Sequence, residues 1–186
     1  MPTLFGIGLN EGVTEYLVCS FFEGNMEYHS YYNLPNIALL AGRIVGENNM
    51  ILKYFQQDIY GFDDDYGKYS RTGDAWNLIV HTDELFNLIM DDKVQTEEYK
   101  EVLSKVYLNL FHTYINKLEM NGRYSKRKAI SFLNSFDDNI LIPVQLECLD
   151  EIGVSDFTKL KSSKSGLFED FYNEYMKKKN ESSFGV

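Results

Sequence analysis

The stretch that decides the fold is Thr96–Gly122, TEEYKEVLSKVYLNLFHTYINKLEMNG. Thr96 is a good N-cap, because its hydroxyl can accept a first-turn backbone N–H. Glu97 and Glu98 complement the positive end of the helix dipole, and Gly122 closes the segment. Between these ends Leu103, Tyr107, Leu110, Tyr114 and Leu118 recur every third or fourth residue, with Val106 and Phe111 beside them. That spacing makes one apolar stripe on one helix, about 36 Å long at ~1.5 Å per residue.

Outward from it the same period repeats. A helix is expected from Asn10 to about Phe22, with Val13, Tyr16, Leu17 and Ser20 on one face and Glu23-Gly24-Asn25 as its stop. Leu34 to Val45 follows, with Pro35 in its first turn, Ile37, Leu40, Ala41 and Ile44 on one face, and Gly46 ending it. Asn49–Asp58 is a shorter helix with Met50, Ile51, Tyr54 and Phe55 inward, and Tyr60–Gly67 reads as an acidic loop. Ala75–Met90 is one helix, or two if Thr82-Asp83-Glu84 opens a new N-terminus. Beyond Gly122, helices are expected at Ser125–Phe136 and Val144–Ile152. A last one runs from Gly166 or Leu167 to Lys179, with Phe168, Phe171, Tyr172 and Tyr175 inward. Strand-type alternation is scarce. The expected fold is mainly α, a bundle-like domain over 1–161. A Ser/Lys/Gly linker and C-terminal helix at 162–186 pack on or near it.

Composition narrows the function. The 186 residues carry 28 acidic and 18 basic side chains, a net charge of −10, which repels phosphate and argues against a nucleic-acid partner. No run approaches the ~18 apolar residues of a membrane span. Met1–Phe5 lacks the basic flank and long apolar run of a signal peptide. Cys19 and Cys148 lie far apart and are expected as reduced, buried thiols. A cytoplasmic protein is expected.

The informative motif is Leu9-Asn10-Glu11-Gly12-Val13-Thr14-Glu15-Tyr16. Glu11 and Glu15 are four apart and share a helix face. The plain reading is a helix start, with Asn10 as N-cap and Glu11 in the first turn. The string also resembles the third-ligand helix of gluzincin zinc metallopeptidases, where Asn-Glu-Gly or Asn-Glu-Ala follows an earlier His-Glu-x-x-His helix. The resemblance implies a His₂Glu zinc site. Glu11 would be the ligand and Glu15 would orient a zinc-bound histidine from behind. Asn10, Gly12 and Thr14 would shape the turn and admit another helix. Tyr32, the Leu34–Gly46 segment and Tyr54-Phe55 look like the helical tail that follows this motif in bacterial members.

The rest of that site is missing. None of the three histidines, His29, His81 and His112, begins His-Glu-x-x-His, and ten residues precede Glu11. The resemblance therefore implies the C-terminal part of a longer metallopeptidase, a truncated gene product, or a non-catalytic relative. Zinc is expected only in a completed protein and none in this chain. The partners expected are the protein's own missing N-terminal part or further copies of itself. The competing expectation is a non-enzymatic helical interaction module, in which Glu11 and Glu15 are ordinary helix-start carboxylates and some of the 28 aromatic residues form an exposed patch.

Other signals are weaker. Asp63-Asp64-Asp65-Tyr66-Gly67 fails the EF-hand pattern at its fifth and sixth positions, so a solvated acidic segment is expected. No P-loop, Rossmann glycine pattern or Gly-x-Ser-x-Gly elbow is present. The basic segment Arg123–Lys128 is expected to pair with nearby carboxylates.

Overall fold

The stripe at 96–122 folds as a single helix, Glu97–Met120, and Thr96 caps it by accepting the Tyr99 N–H at 3.3 Å. The computed structural model describes residues 6–21, 33–136, 138–155, 160 and 165–183, and all its regular elements there are helices. In chain order they are α1 (Ile7–Phe21), α2 (Leu34–Val45), α3 (Glu47–Gln56), α4 (Ile59–Gly67), α5 (Asp74–Met90), α6 (Glu97–Met120), α7 (Lys126–Leu133), α8 (Ile142–Glu151) and α9 (Ser165–Ser183). A 3₁₀ turn, Asn139–Leu141, precedes α8. The mainly α expectation holds. No helix among the described residues is long and apolar enough to cross a membrane.

The chain divides into two compact units, Met1–Tyr124 and Ser125–Val186. The linker expected from 162 begins among residues 161–164, which lie outside the described residues.

In the first unit α1 packs on α2 and α5, α5 on α6, and α2 also meets α3, α4 and α6. Leu9, Val13, Ile37, Leu40, Ile44, Leu103, Val106, Tyr107 and Leu110 are all essentially buried there. A buried polar chain ties α2 to α6. Asn36 donates to the Tyr107 hydroxyl at 2.9 Å, and Asn33 donates to Tyr99 at 3.3 Å. Lys117 of α6 donates to the carbonyls of Arg43 and Ile44 at 2.8 and 2.6 Å, satisfying the C-terminal end of α2.

Two expectations are corrected in this unit, and one left open, the continuity of α5, is decided. Tyr60–Gly67 is not a loop but most of α4. Asp58 caps it by accepting the Gly61 N–H at 2.9 Å, and Ile59, Phe62 and Tyr66 form a buried stripe. Each glycine in a helix costs ~1 kcal/mol, whereas burying an aromatic side chain of Phe size contributes ~1.5–3 kcal/mol, so packing outweighs propensity. α3 starts and ends two residues earlier than expected, closed by Gln57 in a left-handed conformation (φ 53°), and Phe55 points outward at 71% exposure. α5 is one unbroken helix: Thr82 is fully buried and its hydroxyl donates to the Ile79 carbonyl at 2.8 Å, so it opens no new N-terminus.

In the second unit Ser125 caps α7 by accepting the Lys128 N–H. Asp138 starts the 3₁₀ turn that leads into α8 two residues before the expected Val144. Gln145 is buried and donates to the Leu133 carbonyl at 2.8 Å, joining α8 to the end of α7. α9 packs on α8, and Lys179 reaches Asp150 at 2.5 Å. Phe171, Tyr172 and Tyr175 are half-buried, and the Phe168 side chain lies outside the described ones.

Candidate functional site

The Asn-Glu-Gly string is not at the start of its helix. α1 begins at Ile7, and Asn10 already donates its backbone N–H to the Gly6 carbonyl at 3.0 Å. Asn10 is therefore no N-cap and Glu11 lies past the first turn, which corrects the plain reading. The helix start is satisfied from another element. Asp83 on α5 accepts the N–H groups of Gly8, at 2.8 Å, and of Ile7. Burial pushes the Asp83 carboxyl above its usual range, and those two amides pull it back only in part. A carboxylate at a helix N-terminus suits both the orphan amides and the dipole. The sequence offered no sign that this one would come from α5.

Two glycines set how closely the neighbours approach. A Cβ on Gly8 would sit 2.0 Å from the Thr82 carbonyl oxygen, and one on Gly12 would sit 2.4 Å from the Leu34 carbonyl oxygen. α1 is thus clamped between the backbones of α5 and α2. The Gly8-x-x-x-Gly12 spacing was a legible signal of close helix approach.

The polar residues of the motif face α3. The Thr14 hydroxyl donates to the Asn10 carbonyl at 2.8 Å, so the Tyr54 hydroxyl, 2.9 Å away, is the donor in their contact. Gln57 donates to the Asn10 side-chain carbonyl at 3.3 Å. Tyr16 donates to the Glu47 carboxylate.

Glu11 and Glu15 stand one turn apart on α1, both half-buried. Ile7, Glu11, Thr14 and Val18 follow one line at spacings of 4, 3 and 4, and both apolar members are exposed, Ile7 at 42% and Val18 at 48%. The Glu11 side chain makes no hydrogen bond or ion pair with the described residues, whereas Glu15 is engaged.

The described residues do not assemble a His₂Glu set. No group of three His, Cys, Asp or Glu among them is placed to hold a metal ion. His81 is half-exposed in the middle of α5, His112 is exposed on α6 with its ring 5.9 Å from Phe111, and His29 lies outside the described residues. Of the zinc site implied by the resemblance, only the glutamate has a counterpart among the described residues.

The remaining candidates have local explanations. Asp65 pairs with Lys68 at 2.6 Å. Both cysteines are free; Cys148 is buried, and burial raises its thiol, while Cys19 is only partly buried, against expectation. In the basic segment Lys126 donates to the Gly153 carbonyl at 2.8 Å rather than to a carboxylate. A cleft of about 410 Å³ lies along α7, lined by Arg127, Ile130, Ser131, Asn134 and Ser135. No family model, curated protein or solved structure matches the chain.

Proposed function

We propose that this chain is the part of a gluzincin-type zinc metallopeptidase that carries the glutamate ligand, and that it is not itself a peptidase. The observation that carries the reading is half-buried Glu11, one turn from Glu15, on a line of α1 whose apolar ends, Ile7 and Val18, are exposed. Such a line suits a covering helix that brings apolar residues to Ile7 and Val18 and histidines to the carboxylates. The clamping of α1 by Gly8 and Gly12 would hold Glu11 in fixed geometry for it. On this reading the protein is bacterial and cytoplasmic, and its first partner is its own N-terminal part.

The test is the coding sequence upstream of Met1 together with metal analysis. An in-frame His-Glu-x-x-His is expected, and the longer protein should hold stoichiometric zinc that Glu11→Gln lowers. A genuine start at Met1 with no such helix overturns the reading. Calorimetric zinc titration of the 186-residue chain should show no tight stoichiometric site, and tight binding would overturn its incompleteness.

A second reading, a non-enzymatic helical interaction module, draws on a different observation. Asn10, Gly12 and Thr14 each have a packing duty towards α2 or α3, so much of the motif is accounted for without a metal.

A further inference from the structure

The outward face shared by α4 and α5 combines exposed aromatic surface with net negative charge. Tyr60 of α4 is 66% exposed and Trp76 of α5 is 38% exposed, their rings stacked edge to face with centroids 6.1 Å apart. Val80, one turn beyond Trp76, is 58% exposed. Asp64 follows Tyr60 by one turn of α4 and is also exposed. The two helices together carry Asp63, Asp64, Asp65, Asp74, Asp83 and Glu84 and no lysine or arginine. Asp65 is paired with Lys68, and Asp83 is occupied by the start of α1. Asp74 accepts the Arg71 N–H, and Lys53 and Lys68 lie near Asp64 but are themselves paired with Asp58 and Asp65, so Asp63 and Asp64 leave the charge beside the aromatic pair net negative.

We infer that this face docks a basic amphipathic peptide or helix of a partner protein. Exposed tyrosine and tryptophan are the residue types that anchor interfaces, and they are well suited to guanidinium groups, which stack on aromatic rings and pair with carboxylates at the same time. An arginine over the Tyr60–Trp76 pair would reach Asp64, and an apolar side chain one turn along would cover Val80. The net charge of −10 favours the encounter with a cation and opposes docking of a second, equally acidic copy. The inference stands on α4 and α5 and not on Glu11, so either can fail without the other.

Trp76 is the single tryptophan of the chain, so its emission reports this face alone. The probe is a helical peptide about five turns long with leucines on one face and arginines on the other. Its control is a scrambled peptide of the same composition with no apolar face. Saturable binding with a shift in Trp76 emission is expected, weakening as salt rises, and the scrambled peptide should bind about tenfold more weakly. Followed by anisotropy of labelled peptide, Val80→Asp and Tyr60→Ala should each weaken binding about tenfold, and Asp64→Asn a few-fold. All three side chains are exposed, so the fold does not depend on them, and circular dichroism checks that it is kept. Unchanged Trp76 emission, equal binding of the scrambled peptide, or indifference to Val80→Asp and Tyr60→Ala would overturn the inference. So would a wild-type dimer in sedimentation velocity that Tyr60→Ala dissociates, since the occupant would then be a second copy.

Discussion

Replacing Gly12 by alanine tests the clamping of α1 directly. By intrinsic propensity the change should help, because alanine is ~1 kcal/mol better than glycine inside a helix. The structure predicts the reverse. The new methyl would lie 2.4 Å from the carbonyl oxygen of Leu34, 2.8 Å from its carbonyl carbon and 3.3 Å from its Cβ. Two of these three atoms are backbone, at the first residue of α2, and cannot swing aside as a side-chain tip would. Restoring an ordinary contact of 3.4 Å requires α1 and α2 to separate by about 1 Å. A gap of ~0.5–1 Å forfeits a quarter to a half of each dispersion contact along the interface, and overpacking of this kind costs ~1–3 kcal/mol. Set against the propensity gain, the clash leaves a net destabilisation of up to ~2 kcal/mol. Urea unfolding followed by far-ultraviolet circular dichroism measures it as a lowered midpoint at unchanged slope. Gly67→Ala is the matched control. No atom lies within 4 Å of its added Cβ, its φ is not positive, and it sits at the exposed end of α4, so it should be neutral or gain up to ~1 kcal/mol. If Gly12→Ala behaves like Gly67→Ala, α1 and α2 do not approach this closely and the packing account of the motif is wrong.

Phe62→Ala should cost ~3–5 kcal/mol in the same unfolding assay, because the ring is fully buried; a cost below ~1 kcal/mol would return 60–67 to the loop first expected from its sequence. Tyr107→Phe removes the hydroxyl to which Asn36 donates and should cost ~1–3 kcal/mol, with faster amide exchange at the start of α2 as the local sign. Asp83→Asn should change how stability depends on pH. The folded carboxyl lies above the ordinary value of 3.8, so the stability it contributes is fully present below 3.8 and is lost as pH rises through the higher folded value. Wild type should therefore lose stability relative to the variant over that interval in a pH series of urea midpoints, and parallel curves would show that Asp83 is not desolvated as described.

The parts of the fold legible in the sequence are those in which local chemistry and packing agree. α2 follows its Pro35 and Gly46 signals at both ends, and α6 follows Thr96 and its stripe. α4 was illegible because Gly61, three consecutive aspartates and Gly67 all argue for a loop, while the buried trio Ile59, Phe62 and Tyr66 could be recognised only once a core existed for it to join. The start of α1 was misplaced for a similar reason. Asn10 is a better cap than anything at Gly6 or Ile7, yet the amides of Ile7 and Gly8 are capped by Asp83, 75 positions beyond Gly8. A long-range cap leaves no local trace. The pairing of Glu11 with Glu15 on one face followed directly from their spacing. Which residues flank them did not, because the exposure of Ile7 and Val18 depends on where α2 and α5 pack.

The residues of the motif divide by what they do. Gly12 is fixed by the Leu34 carbonyl, Asn10 by Gln57 and Thr14 by Tyr54, and each would be needed in any helical protein that crosses α1 over α2 and α3 in this way. Their presence therefore does not discriminate between a metallopeptidase part and an interaction module. Glu11 does discriminate. Its side chain is half-buried on α1 with no hydrogen bond or ion pair to another described residue, and glutamine would keep its shape while removing the carboxylate. If the charge serves nothing, Glu11→Gln should leave stability unchanged or raise it slightly and alter no binding property. If the charge awaits a cation brought by a covering helix, the same substitution should be silent in this chain and should lower metal occupancy once that helix is present. The two readings thus part at one carboxylate, and only where such a helix is supplied.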